Sequence, residues 1–451
     1  MEKFIFCGKE IRSVGFFGLG RSNAGVMNYL AAHYPHVRFT VRQDKPIEGS
    51  VREPCRVYIG ERALSEPSED LIFASPTVRR ERLYPIFGDR ITSDAEFFFE
   101  RVTHPVFSIT GSDGKSTTTT LTSLLLSHDG VRAPAIGNIG VAMTPMLDVG
   151  CDYAAAELSS FQLMHLSPRS ERAYVTNISP NHLDFHSSFE EYISAKARIW
   201  ERARECCVNL DDKICAELVP RDRIYAATSY GLSFEEARKV ITAEVYVTLS
   251  CGFIQLNGVN VFDTASMRVG TVHTVKNMMA AIALTHGYTT EERISQVGRE
   301  FSGLVHRCEL VGEFLGIKYY NSSIDSTPKR TATTLASFEE KPIVILGGKG
   351  KGLSYEELLP AVEAHAKAAV ITGANGGEIF EALSACRGML PIRRTETFTE
   401  AVLTAISLAK SGDSVLLSPA STSFDAFRDF AERGNRFKEI IKNYYYKGTV
   451  I

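Results

Sequence analysis

No stretch of this chain stays apolar long enough to span a membrane, and its Met1-Glu2-Lys3-Phe4 start lacks the pattern of a signal peptide. No block of like charge, low-complexity tract or repeat interrupts it. These absences point to a cytoplasmic protein without a membrane partner. Neither sign of charge prevails: 50 Lys and Arg face 53 Asp and Glu, a net of −3, so no field gathers nucleic acid and the expected partners are small molecules. The 9 cysteines include no C-x-x-C pair, and adjacent Cys206 and Cys207 are badly placed for one zinc, which argues against a disulfide framework or a thiolate metal centre. What remains is 451 residues, 44% of them hydrophobic, enough for about three cores at roughly 150 residues each.

The most informative run is Thr110-Gly111-Ser112-Asp113-Gly114-Lys115-Ser116-Thr117. An apolar β-type run, Pro105 to Ile109, leads into it, and a hydroxyl-rich then leucine-rich helical run, Thr117 to Ser127, leaves it. Glycines let backbone N–H groups turn inward around a phosphate, Lys115 adds a point charge, and Ser116 offers a hydroxyl to Mg²⁺. The spacing is shorter than the common G-x4-GK-[ST] loop, because Ile109 stands where that pattern wants its first glycine. The competing reading is a Gly-Ser turn before an ordinary helix.

Before this loop, Ser13–Phe17 reads as a strand, Gly18-Leu19-Gly20 as a tight turn, Ala24–His33 as a helix and Val37–Arg42 as the next strand. The turn is close to a dinucleotide fingerprint, but Asn23 replaces its third glycine and Asp44 is loosely spaced as a ribose-binding acid. A phosphate at that helix start and a turn needed only for packing both stay open. Leu71 to Val78 reads as a further strand ending in Ser75-Pro76 on the same edge of a parallel sheet.

After the loop, Tyr153 to Glu157 and Tyr174 to Ile178 look like buried strands with polar ends. Glu157 stands where a carboxylate would hold Mg²⁺ against a nucleotide, or where it would cap the next helix. His182, Asp184 and His186 alternate, and on a strand would share a face; with no further His cluster nearby, a hydrolase-type metal centre is the lesser reading. Ser188-Phe-Glu-Glu191 is a capping box opening a helix over Phe189–Ala203, with Tyr192, Lys196 and Trp200 on one face. By spacing alone Lys196 is a snorkelling side chain. Ala243 to Val261 suggests a hairpin about Asn257-Gly258, and His273–Leu284 a helix.

From about Val305 a third α/β segment runs strand Ile317–Tyr320, helix Lys329–Ser337, strand Pro342–Leu346, a Gly-Lys loop with Lys349 and Lys351, helix Tyr355–Ala366, strand Ala368–Thr372, strand Ser414–Leu417 and a long terminal helix. The expected fold is α/β with three domains: a Rossmann-like domain over 1–93, a central P-loop ATPase domain with a mainly parallel sheet over 94–304, and a Rossmann-like domain over 305–451.

The ordered set T-G-x-x-G-K-S-T, E-L-S-S-F-Q-L, T-N-I-S-x-N-H-L-D, H-R-x-E, L-G-G-x-G-K and L-S-P-A-x-x-S-x-D-x-F resembles the Mur ligases, ATP-dependent amide-forming enzymes of peptidoglycan precursor synthesis. The closing run from Leu417 to Gly434 points within them to the branch that adds D-glutamate to UDP-N-acetylmuramoyl-L-alanine. The resemblance implies a monomer using ATP and two Mg²⁺. It implies that Gly111, Ser112, Asp113, Gly114, Lys115, Ser116 and Thr117 hold the phosphates, and that Asn277 and Arg307 contact the nucleotide. Ser116 and Glu157 would bind one Mg²⁺; His182 and a carbamate on Lys196 would serve the second, with Lys115, His182 and Lys196 as the catalytic set. The sugar nucleotide would lie on Leu19, Arg21, Ser22, Thr40, Arg42, Ser75 and Pro76, with Asn138, Ser160, Gln162 and His182 at its muramoyl end. The amino acid would meet Lys351, Ser423 and Phe430.

The pattern departs where the family has N-D-S-K-A-T-N and this chain has Asn321-Ser322-Ser323-Ile324-Asp325-Ser326-Thr327, losing an acid and a lysine. Asp113, Thr274 and Lys349 also replace usual residues. Three alternatives stay open: a folylpolyglutamate-synthase-like ligase with another acceptor, an ATP-binding homologue without catalysis, suggested by the altered loop, and a nicotinamide oxidoreductase, read from the first-segment glycines, that leaves the second segment unexplained.

Overall fold

A computed structural model describes residues 3–44, 55–65, 67–181, 185–338, 340–350, 352–384 and 390–446. The chain separates into two compact units, Met1–Glu300 and Phe301–Ile451. Both are α/β.

The first unit begins with a two-stranded ribbon, Ile5–Phe6 with Lys9–Glu10, and then a five-stranded parallel sheet in the order Cys55–Ile59, Arg38–Gln43, Ser13–Phe17, Leu71–Ala74, Ile91–Thr92. Ser13–Phe17 is buried along its whole length, as expected of a central parallel strand covered on both faces. The chain winds from it in one direction and returns on its other side, so the carboxyl ends of Ser13–Phe17 and Leu71–Ala74 flank a topological switch point. Helix Arg21–His33 starts there and packs Val26, Met27 and Leu30 into the core with Val14, Phe16 and Phe73.

The second sheet of this unit has nine strands. Seven are parallel, in the order Val245–Ser250, Ile224–Ser229, Glu205–Asn209, Arg172–Val175, Val106–Thr110, Ala154–Glu157, Ala135–Gly137. Phe253–Leu256 and Val259–Asp263 extend it antiparallel. The region expected to hold one hairpin therefore holds two. Asn257 (φ +50°) and Gly258 (φ +83°) form the expected turn, and Cys251 (φ +48°) with Gly252 (φ +82°) forms another of the same kind. Two positive φ values suit a two-residue hairpin, and Cys at the first place disguised the second turn. Helix Lys115–Leu126, following Val106–Thr110, packs against Val272–Thr285. The helix expected over Phe189–Ala203 is α-helical to Ala197 and tightens to a 3₁₀ turn over Arg198–Trp200. Its Ser188 caps Glu191 N–H, but the Glu191 carboxylate accepts from Ser187 N–H, so the predicted capping box is only half formed.

The second unit carries a six-stranded sheet, Glu309–Phe314, Ile317–Asn321, Ser414–Leu417, Ile343–Gly347, Ala368–Thr372, Ile392–Arg394, parallel except for the first pair. Apolar clusters cover both faces, one with Tyr319, Val370, Ile345 and Phe437, the other with Leu346, Ile371, Leu358 and Ile379. No helix among the described residues is long and apolar enough to cross a membrane.

Candidate active site

Val106–Thr110 lies between Ala154–Glu157 and Arg172–Val175, so polar residues at three adjacent carboxyl ends converge on the Gly111–Thr117 loop. Gly111 has φ +147°, and a Cβ there would sit 1.8 Å from Thr176 Oγ1. Gly114 (φ +78°) opens the helix, and a Cβ there would lie 2.5 Å from Asn277 Oδ1. Only glycine fits either place. The loop is braced by residues that sequence inspection gave no role. Ser112 N–H donates to Asn177 O at 2.8 Å, Asp113 N–H to Asn177 Oδ1 at 3.0 Å, and Thr176 Oγ1 to Asp113 O at 2.5 Å. Asp113 itself is exposed, and Ser116 and Thr117 begin the helix whose N–H groups face the loop.

Two lysines meet here. Lys115 Nζ donates to Gly111 O at 2.9 Å and Ser112 O at 2.8 Å; Lys196 Nζ donates to Gly111 O at 2.6 Å and Thr110 Oγ1 at 3.4 Å. Lys196 does not snorkel: it is 1% exposed, with its Nζ 4.6 Å from the Tyr192 ring centre. Burial first, and the neighbouring Lys115 charge second, hold its pKa well below the ordinary lysine value.

Glu157 is buried; its Oε1 accepts from Asn138 Nδ2 at 2.8 Å, while Oε2 has no hydrogen-bond partner among the described residues. It does not cap the following helix, because Ser159 does so in a full capping box with Gln162. An orphaned carboxylate oxygen beside a phosphate loop fits a hard divalent cation, as does the hydroxyl of buried Ser116. His182 and Asp184 lie outside the described residues. Buried His186 places Nε2 2.9 Å from Ser160 Oγ, and no cluster of three metal-ligating side chains occurs among the described residues.

At the switch point of the first sheet, Leu19, Ser22, Ser75 and Pro76 are partly exposed, and Thr40 is buried. Arg21 is exposed and donates to carbonyls of Gly137, Asn138 and Gly140. Two side chains near this edge have partners within the fold. Arg42 is 0% exposed: its guanidinium pairs with Glu69 at 2.9 Å and donates to Ala63 O and Ser65 O. Asp44 is paired with Arg82, which holds its carboxyl below the usual range, so it is not a free ribose acid. Asn23, which breaks the glycine fingerprint, is buried and donates to Gly18 O at 2.6 Å and Phe73 O at 3.1 Å, bracing the two strand ends.

In the second unit Arg307 is exposed, Ser423 is buried, and Phe430, 40% exposed, opens the terminal helix. Lys351 lies outside the described residues. Ser323 Oγ donates to Phe430 O at 2.7 Å and accepts from Arg433 Nε at 3.0 Å. Asp325, in the departed loop, accepts from Ser418 Oγ and Thr334 Oγ1, both at 2.8 Å. Arg433 is 2% exposed and was silent in the sequence; burial brings it down to about 10, still a cation at neutral pH.

Comparison with known proteins follows this geometry. Residues 109–285 match the Mur ligase middle domain and 306–421 the Mur ligase glutamate ligase domain. Proteins named UDP-N-acetylmuramoylalanine-D-glutamate ligase from Ruminiclostridium cellulolyticum and Clostridium tetani are each 34% identical, over 96% and 98% of this chain and 98% of their own lengths. The solved UDP-N-acetylmuramate-alanine ligase of Thermotoga maritima covers 96% of this chain and 100% of its own, with 18% identity and a TM-score of 0.59. UDP-N-acetylmuramoyl-L-alanyl-D-glutamate-2,6-diaminopimelate ligase covers 97% and 96%, with 15% identity and a TM-score of 0.56. At these identities the two structures speak for the fold alone.

Proposed function

The chain belongs to the Mur ligase family, and on that premise we propose that it joins D-glutamate to UDP-N-acetylmuramoyl-L-alanine, splitting ATP to ADP and phosphate in peptidoglycan precursor synthesis. One observation carries the reading. A single loop carbonyl, Gly111 O, receives both Lys115 and Lys196, and Glu157 on the neighbouring strand keeps a buried oxygen without a partner.

A carboxylate resists attack by an amine, so its oxygen first attacks the γ-phosphorus of ATP; the bond to the bridging oxygen breaks, ADP leaves and an acyl phosphate forms. The amino-acid nitrogen then adds to the acyl carbon through a tetrahedral intermediate, loses a proton, and phosphate departs. The loop N–H groups and the helix N-terminus cradle the phosphates. Lys115 exchanges its bonds to Gly111 O and Ser112 O for the γ-phosphoryl group, because charge-assisted bonds to phosphate are the stronger. Ser116 and Glu157 would hold Mg²⁺, which when bound neutralises phosphate charge. Lys196, whose pKa burial depresses, would attack CO₂ through its neutral form and release a proton to give a carbamate, a carboxylate surrogate that with His182 would hold a second ion. Leu19, Arg21, Ser22, Ser75 and Pro76 take the sugar nucleotide, Asn138 its muramoyl end, and Ser423, Phe430 and Lys351 the amino acid. The corresponding domains are 1–93, 94–304 and 305–451.

The test is phosphate release from Mg-ATP with UDP-N-acetylmuramoyl-L-alanine, comparing D-glutamate with L-glutamate and other amino acids. D-glutamate should be preferred. Preference for another amino acid would reassign the acceptor, and release indifferent to the sugar nucleotide would remove the assignment.

A further inference from the structure

The short loop after strand Ala135–Gly137 ties two parts of the first unit together. At one end Arg21, the first residue of helix Arg21–His33, donates through Nη2 to Gly137 O at 3.0 Å and Asn138 O at 3.4 Å, and through Nη1 to Gly140 O at 3.1 Å. At the other, Asn138 N–H donates to Glu157 O at 3.0 Å and its Nδ2 to Glu157 Oε1 at 2.8 Å. The segment between has little slack. Gly137 (φ +97°) and Gly140 (φ +67°) are packed so closely that a Cβ would lie 2.5 Å from Glu157 O and 2.1 Å from Ala135 O. Gly137 N–H also closes on Val141 O at 3.0 Å. The Arg21 contacts and the Asn138 amide thus share one short, closely packed loop.

We propose that Arg21 is a positioning residue for Glu157, acting through Asn138. By gripping three carbonyls, it fixes the amide that pins Oε1 of Glu157 and leaves Oε2 as the open cation ligand. The planar guanidinium suits this task because it presents several donors in a fixed fork, whereas a lysine ammonium is a single point. Groups that orient a metal ligand from outside the coordination sphere are worth about 10–100-fold in metal affinity. The inference rests on the reading of Glu157 as a Mg²⁺ ligand.

The experiment counts bound Mn²⁺ by electron paramagnetic resonance on the full-length protein with ADP and without any sugar nucleotide, so that Arg21 cannot act through that substrate. Arg21→Ala should raise the Mn²⁺ Kd about tenfold, the low end of that range. Asn138→Ala should do the same, and the double variant should be no worse than Asn138→Ala alone, since both act on one path. Arg21→Lys should recover only part of the affinity, and it serves as the reporter should Arg21→Ala not fold. Wild-type Mn²⁺ affinity in the Arg21 variants, or losses that add in the double variant, would overturn the inference. Glu157→Ala separates the two levels: full Mn²⁺ binding in that variant would overturn the metal-ligand reading itself.

Discussion

The side-chain nitrogens of Lys115 and Lys196 donate to the same carbonyl oxygen, that of Gly111, at 2.9 and 2.6 Å. Burial first, and the neighbouring Lys115 charge second, disfavour the charged form of Lys196 and hold its pKa well below the ordinary lysine value.

A stability signature follows. The folded-state pKa of Lys196 is depressed, so between that value and the ordinary lysine pKa of about 10.4 the unfolded chain binds a proton that the folded chain does not. Stability contributed through this group thus rises with pH across that window. Lys196→Met should be more stable than the natural protein at neutral pH in CO₂-free buffer, and the gain should shrink as pH approaches the upper limit. Urea unfolding of both proteins at several pH values checks this; a gain independent of pH would mean that Lys196 is charged in the fold.

A buried lysine with a depressed pKa should react with CO₂ through its neutral form. Protein equilibrated with ¹³C-bicarbonate should show a carbamate carbon resonance that is missing from Lys196→Ala. That variant should lose turnover by more than about a hundredfold, the upper range for losing a group that only orients a metal ligand, and short carboxylic acids should restore part of it. Unchanged turnover would exclude the carbamate.

Arg42 and Glu69 form a wholly buried ion pair, so substitutions there should act on stability rather than on substrate contacts. Glu69→Ala leaves a buried cation without its acid and should cost about 3–5 kcal/mol, whereas replacing both partners by apolar residues should be nearly neutral. Chemical denaturation decides it; a Glu69→Ala protein as stable as the parent would show the pair to be dispensable.

Gly111→Ala forces an unfavourable φ and a collision with Thr176 Oγ1. Backbone strain alone should cost about 1–3 kcal/mol, and the displaced loop should lose ATP binding, measurable by calorimetry. Retained ATP affinity would mean that the loop is not the phosphate cradle.

Much of this site could be seen in the residues themselves, because the loop concentrates its chemistry: glycines at positive φ, a lysine and hydroxyls follow one another at a strand-helix junction. Pairings across long sequence distances could not. The burial of Arg42 left no local sign, because its partner Glu69 lies 27 residues away. Lys196 read as snorkelling because spacing shows which face it shares with Tyr192 and Trp200, not whether that face is covered. Strand Glu309–Phe314 escaped because its turn is Leu315-Gly316, with an exposed leucine at φ +52° where Asn or Asp is customary. Thr176 and Asn177 were visible as a motif, but their work is on the backbone of Asp113, which no side-chain pattern announces.

The central claim is that the sugar nucleotide's carboxylate is activated by phosphorylation. It is tested most directly by labelling both oxygens of that carboxylate with ¹⁸O and analysing the phosphate released during turnover with D-glutamate. Transfer of one ¹⁸O into each phosphate is the predicted result, since the oxygen that attacked the γ-phosphorus leaves with it. Phosphate carrying no label from the carboxylate would contradict the account.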